Sequence, residues 1–162
     1  MKKTMALLLV LINLITMISC SVKSETPDIE SLEWTLIQCR VTEWGELSEF
    51  LGVEEGAGFT VFNDVAEQVF ELKVDNGKMY LTNTRNGASM QGSCLKNSKK
   101  ANGALQLDYE IDLCGNKTFA SVGECSQYDW NTEKTGFDGN TYGKYCIDFQ
   151  FENGTYLSFF AS

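Results

Sequence analysis

The 162-residue chain contains no histidine. That absence removes Ser-His-Asp and Cys-His nucleophile systems, the imidazole base that works near neutral pH, and nearly all catalytic zinc sites. Basic side chains are scarce too: 13 Lys and Arg stand against 22 Asp and Glu, a formal charge of -9. Removing residues 1–20, which hold Lys2 and Lys3 and no acid, leaves 11 against 22 and a charge of -11. Such a surface repels phosphate backbones and anionic headgroups, whose binding depends on clustered Lys and Arg. Nucleic acid is excluded as a partner on that ground. No two cysteines have C-x-x-C spacing, so no metal site is expected, and no cofactor. These absences point to a non-enzymatic, binding role.

Residues 1–20, MKKTMALLLVLINLITMISC, hold two lysines, an apolar stretch from Met5 to Ile18 broken by Asn13 and Thr16, and then small residues. That is the layout of a secretory signal. The stretch is shorter than the roughly 18 to 20 apolar residues that span a bilayer. Met17-Ile18-Ser19-Cys20 resembles a bacterial lipobox, and Ile-Ser-Cys-Ser is similar to short lipoproteins of the Bacteroidetes type. The resemblance implies lipidation of Cys20 and an extracytoplasmic protein anchored in the periplasm or at the cell surface. Cleavage after Ser21 or Ser24 would release a secreted form instead. Membrane association is expected only through that N-terminal lipid. Residues 21–30, with the one proline at Pro27, read as a flexible tether, and 31–162 as one domain.

An exported chain meets an oxidising compartment, so Cys39, Cys94, Cys114, Cys125 and Cys146 are disulfide candidates. Five cysteines allow two bridges at most, and the spacing does not determine which.

Leu32 to Val41 has a strand's composition, with Leu32, Trp34, Leu36 and Gln38 on one face and Glu33, Thr35, Ile37 and Cys39 on the other. In WGELSEFLGV, Trp44, Leu47 and Leu51 recur at helical spacing and Gly52 offers a stop. Phe59 to Phe62 reads as a brief strand, or Asn63 or Asp64 caps a helical turn. Val69 to Val74 and Lys78 to Thr84 flank Asp75-Asn76-Gly77 as a hairpin, and Cys146 to Phe151 and Thr155 to Phe160 flank Glu152-Asn153-Gly154 in the same way. Ala104 to Leu113 alternates Leu105, Leu107, Tyr109, Ile111 and Leu113 against polar residues, the mark of a strand with one wet face. Residues 115–144 hold five glycines and read as long loops or irregular short strands. The fold class is therefore all-β: an antiparallel β-barrel or sandwich of about seven to nine strands with one or two short helices, linked by disulfides.

With Leu-Glu-Trp-Thr-Leu opening the first strand, a short helical connection and then hairpins, Leu32 to Val53 resembles the lipocalin-like proteins. The resemblance implies a barrel closed around a small lipophilic ligand and assigns no role to any single residue.

Trp130 in Ser-Gln-Tyr-Asp-Trp-Asn-Thr, with Tyr128, Tyr142 and Trp44, are the candidate ligand-binding side chains. Aromatics of this kind line cavities, stack on sugars or fill cores with equal ease. Asp129, Asn131, Glu133, Asp138 and Asn140 supply oxygen ligands, but Gly136 breaks the spacing of a calcium loop. Asp108, Glu110 and Asp112 share one strand face and read as a solvated surface rather than an acid/base pair. The expectation is an exported barrel that binds a small apolar or amphipathic ligand. The alternatives are an inhibitor- or immunity-type module whose acidic surface meets a basic protein, and a carbohydrate-binding sandwich.

Overall fold

The computed structural model describes residues 27–62, 64, 66–97, 108–125 and 143–161. Among these residues ten strands form one antiparallel sheet: β1 (Trp34–Arg40), β2 (Thr60–Val61), β3 (Phe70–Asp75), β4 (Lys78–Asn83), β5 (Ser89–Lys96), β6 (Tyr109–Leu113), β7 (Asn116–Ala120), β8 (Val122–Glu124), β9 (Tyr145–Gln150) and β10 (Tyr156–Ala161). Their order is β7-β6-β5-β4-β3-β1-β10-β9-β8, with β2 lying against β1. One helix, α1 (Gly45–Leu51), follows β1, and a 3-10 turn at Ile29–Ser31 precedes it.

The two ends of that path, β7 and β8, are neighbours in the chain, separated only by Ser121. Ala120 lies opposite Tyr109 of β6, while Val122 lies opposite Ile147 of β9. A single extended run thus leaves one edge of the sheet and joins the other. Thr118 Oγ1 donates to the Gln150 carbonyl at 2.6 Å beside this seam. The sheet is rolled into a nearly closed barrel, which decides between barrel and sandwich.

The hairpins arise from local chemistry. Between β3 and β4, Asn76 and Gly77 take φ of 50 and 75°, the left-handed pair that a tight two-residue turn needs. Phe70, Leu72 and Val74 are buried while Glu71, Lys73 and Asp75 are exposed, so the period of two holds through the strand. β9 and β10 join through the Glu152-Asn153-Gly154 turn in the expected register, with Leu157 opposite Phe149. Tyr109, Ile111 and Leu113 are buried on β6 as expected; residues 104–107 lie outside the described residues.

Three features differ from the sequence reading. The pairing of β1 with β10 shifts between Leu36 and Gln38, a bulge that puts one extra residue into β1. Cys39 therefore joins the inner cluster with Trp34 and Leu36, while Ile37 packs outside in a separate one. The strand β5 had no sequence signal, because Ser-Met-Gln-Gly-Ser-Cys is poor in β-formers. It is admitted by Gly92, where a Cβ would stand 2.2 Å from the Asp112 carbonyl oxygen and 3.0 Å from Met79 Cε. Last, the expected disulfide linkage is not shown: Cys39, Cys94, Cys114, Cys125 and Cys146 are thiols in this structure.

The barrel is filled. Phe149, Phe159, Leu157, Met79, Ile111 and Leu113 are wholly buried in one cluster that runs the length of the interior. Both ends are covered. At one end Ile29, 1% exposed, sits over Trp34, whose indole donates to the Ile29 carbonyl at 3.0 Å. Packing thus begins inside the stretch read as a tether. At the other end α1 lays Leu47 and Leu51 on the barrel, stopped by Gly52 at φ 67°. No helix among the described residues is long and apolar enough to cross a membrane.

Candidate functional site

The mouth covered by α1 carries a groove. Its volume is about 380 Å³, within the usual range for a small-molecule site. The floor is apolar: Phe50 and Leu51 from α1, Val61 and Phe62 from β2 and its end, Val69 and Phe70 from the start of β3. The rings touch, with Phe50 and Phe62 centred 5.6 and 5.9 Å from Phe70. Phe50 is only half-buried because α1 points Leu47 and Leu51 into the barrel, leaving the ring at their shoulder. The rim is polar: Glu49, Glu67, Asn83 and Arg85. Arg85 is held by donating to the Ala66 carbonyl, and Gln68 donates to the Phe62 carbonyl at 3.1 Å.

The chain from α1 to β3, which builds much of this mouth, is rich in acids. Glu43, Glu46, Glu49, Glu54, Glu55, Asp64, Glu67 and Glu71 are all exposed, and no Lys or Arg occurs between Arg40 and Lys73. Arg40 itself is engaged, donating twice to the Gly154 carbonyl and lying over the Phe59 ring at 4.8 Å.

The opposite end is polar but internally satisfied. Tyr109 OH accepts from the Ile29 amide and donates to Asp28, both at 3.1 Å. Asp28 also pairs with Lys96, whose ammonium holds the carboxyl below its ordinary range. Burial pushes Tyr109 up to about 12. These groups tie the 3-10 turn down over the barrel.

Burial disfavours the thiolate of the interior cysteines. Burial raises Cys39 to about 12, and burial aided by Glu30 and Asp28 does the same for Cys94. Cys114 is exposed at the β6–β7 turn. Cys125 and Cys146 lie outside the barrel wall with Ile37, Phe160 and Val61. No group of three His, Cys, Asp or Glu side chains placed to hold a metal occurs among the described residues. Of the carboxylates on β6, Asp112 serves its own turn, accepting from Gly115 N at 2.8 Å and facing Lys117 at 3.9 Å.

Of the aromatic candidates, Trp44 is buried at 7% exposure and meets Phe151 edge-on at 5.2 Å. It packs the α1 end of the core and does not line the groove. Tyr128, Trp130 and Tyr142, with the acidic loop from Asp129 to Asn140 and the leader with Cys20, lie outside the described residues. The groove residues had escaped the sequence reading. The one local signal was Phe50, an aromatic out of step with the Trp44, Leu47 and Leu51 stripe; Phe62, Val69 and Arg85 meet it only through the fold.

No protein-family model, curated protein or solved structure matches this chain.

Proposed function

We propose that the protein is a non-catalytic binding protein that takes a small amphipathic molecule in the groove between α1 and the β2–β4 side of the barrel mouth. The observation carrying this reading is the groove's construction: an apolar floor of Phe50, Leu51, Phe62 and Phe70 beneath a rim bearing Glu49, Glu67 and Arg85. Since large side chains fill the barrel, the apolar part of the ligand rests at the mouth and its polar end reaches the rim. The lipocalin-like reading supports a barrel-borne ligand, though at a different depth. The protein acts outside the cytoplasm, exported by residues 1–20 and anchored through Cys20; palmitate labelling that survives Cys20→Ala would remove the anchor from this proposal.

The test is titration with 1-anilinonaphthalene-8-sulfonate, an amphipathic fluorescent probe. Wild type binds it at one site, and Val69→Arg, which fills the groove, weakens binding at least about tenfold, a loss of roughly 1.4 kcal/mol, while keeping the melting temperature. Equal binding by both proteins, or none by wild type, overturns the reading.

A second reading has its own support in the eight exposed acids between Arg40 and Lys73, a stretch of sequence that holds no Lys or Arg. A basic protein partner would be steered there electrostatically. Salt-sensitive binding of a lysine-rich peptide, with a silent probe, would favour it.

A further inference from the structure

We propose that Cys125 and Cys146 are an oxidisable pair that closes into a disulfide across the β8–β9 seam when the folded protein meets a small-molecule disulfide. The two share one small apolar cluster on the outside of the barrel, walled by Ile37, Phe160 and Val61, and are 5% and 1% exposed. Their placement follows from the ladder. Gly123 lies opposite Cys146 and Glu124 opposite Tyr145, and the Cys125 amide donates to the Lys144 carbonyl at 2.9 Å. Cys125 therefore stands diagonal to Cys146 on the same face. Gly123 presents no side chain opposite Cys146, whose thiol leans over that space and donates to the Gly123 carbonyl at 3.6 Å. The Cys146 side chain also lies within electrostatic reach of the Cys125 thiol.

Diagonal neighbours in a sheet have Cα atoms about 7 to 8 Å apart, while a disulfide spans up to about 6.8 Å. Closure thus asks for a shift of roughly 1 Å. Cys125, one residue past the end of β8, is placed to make it. The other cysteines among the described residues stand elsewhere. Cys39 and Cys94 belong to the interior cluster, on the other side of the barrel wall, and Cys114 sits in the turn before β7, at the far end of the β7–β8 run.

The chemistry balances with oxidised glutathione as the co-reactant. One cysteine thiolate attacks a glutathione sulfur, breaking that S–S bond and expelling one glutathione thiolate. The second cysteine then attacks the protein-side sulfur of the mixed disulfide and expels the other. The protein gives up two electrons and two protons, and two molecules of glutathione leave in reduced form. Because both thiols are buried, the reaction proceeds through local opening of the seam.

The experiment treats the folded full chain with oxidised glutathione, quenches with acid, alkylates remaining thiols, and maps tryptic peptides without reduction. Cleavage at Lys134 and Lys144 puts the two cysteines on separate peptides. The expected result is a mass loss of about 2 Da, two hydrogens, with one linked pair joining Cys125 to Cys146 while Cys39 and Cys94 are alkylated. Cys125→Ser and Cys146→Ser should each abolish that link. Linkage of either residue to another cysteine, a mixed disulfide that never resolves, or complete alkylation of both after prolonged oxidation would overturn the proposal. The readout is independent of the groove and of any ligand.

Discussion

Replacing Gly92 with alanine tests how tightly the β5–β6 approach is set. The added Cβ would lie 2.2 Å from the Asp112 carbonyl oxygen, 3.2 Å from its carbon and 3.0 Å from Met79 Cε. Met79 is unbranched and can turn aside. Asp112 cannot, because its backbone is fixed by pairing with Ser93 on one side and Lys117 on the other. Relief requires β5 and β6 to part by about 1 Å, stretching their ladder bonds; overpacking of this kind costs about 1 to 3 kcal/mol. The smaller entropy of the alanine-containing unfolded chain returns about 0.4 to 1 kcal/mol. The net expectation is a destabilisation of about 1.3 kcal/mol, or roughly 5 °C in melting temperature for a barrel of this size. Thermal melts followed by circular dichroism, with urea titration as a second measure, would read it. Gly58→Ala is the control, since nothing lies within 4 Å of its Cβ position; it should be neutral or slightly stabilising. If the two variants melt together, the reasoning from close approach is wrong.

Two further outcomes concern the opposite end. Tyr109→Phe removes the oxygen that accepts from the buried Ile29 amide, and the unsatisfied donor should cost about 1 to 3 kcal/mol in urea denaturation; no change would mean that the turn is held by packing alone. Asp28 is held below its ordinary value of 3.8 by Lys96, so its stabilising contribution is complete above that value and is lost as pH falls through the lower folded one. Asp28→Asn should accordingly be less stable than wild type at pH 6 by up to about 1 kcal/mol, given the exposure of the pair, and the gap should close in acid below 3.8. A gap that stays constant down to pH 2 would contradict the assignment.

The parts of this fold that were legible from sequence are those decided within a few residues. Asn76-Gly77 demands positive φ wherever it occurs, and Tyr109, Ile111 and Leu113 alternate with acids whatever surrounds them. Leu47, Leu51 and Gly52 likewise mark a helix and its end locally. The bulge at Ile37 was not legible, because it is a mismatch of register with β10, more than a hundred residues along the chain. Nor was β5, whose weak composition is compensated by partners on both sides. The choice between barrel and sandwich turned on the change of partner at Ser121, which no composition records. The groove was hidden for the same reason: Phe50, Phe62, Val69 and Arg85 come from four segments and meet only after α1 docks.

The pairing of β1 with β10 also bears on how the chain reaches this state. Among the described strands the one made first takes the one made last as its partner, so β1 keeps one row of amides and carbonyls unmatched until synthesis has passed Ala161. Folding of such a topology is governed by contacts distant in sequence and runs slowly, and throughout that interval Leu36 and Ile37 face solvent or whatever binds them. A chain that cannot close early stays threadable for as long as its end is withheld.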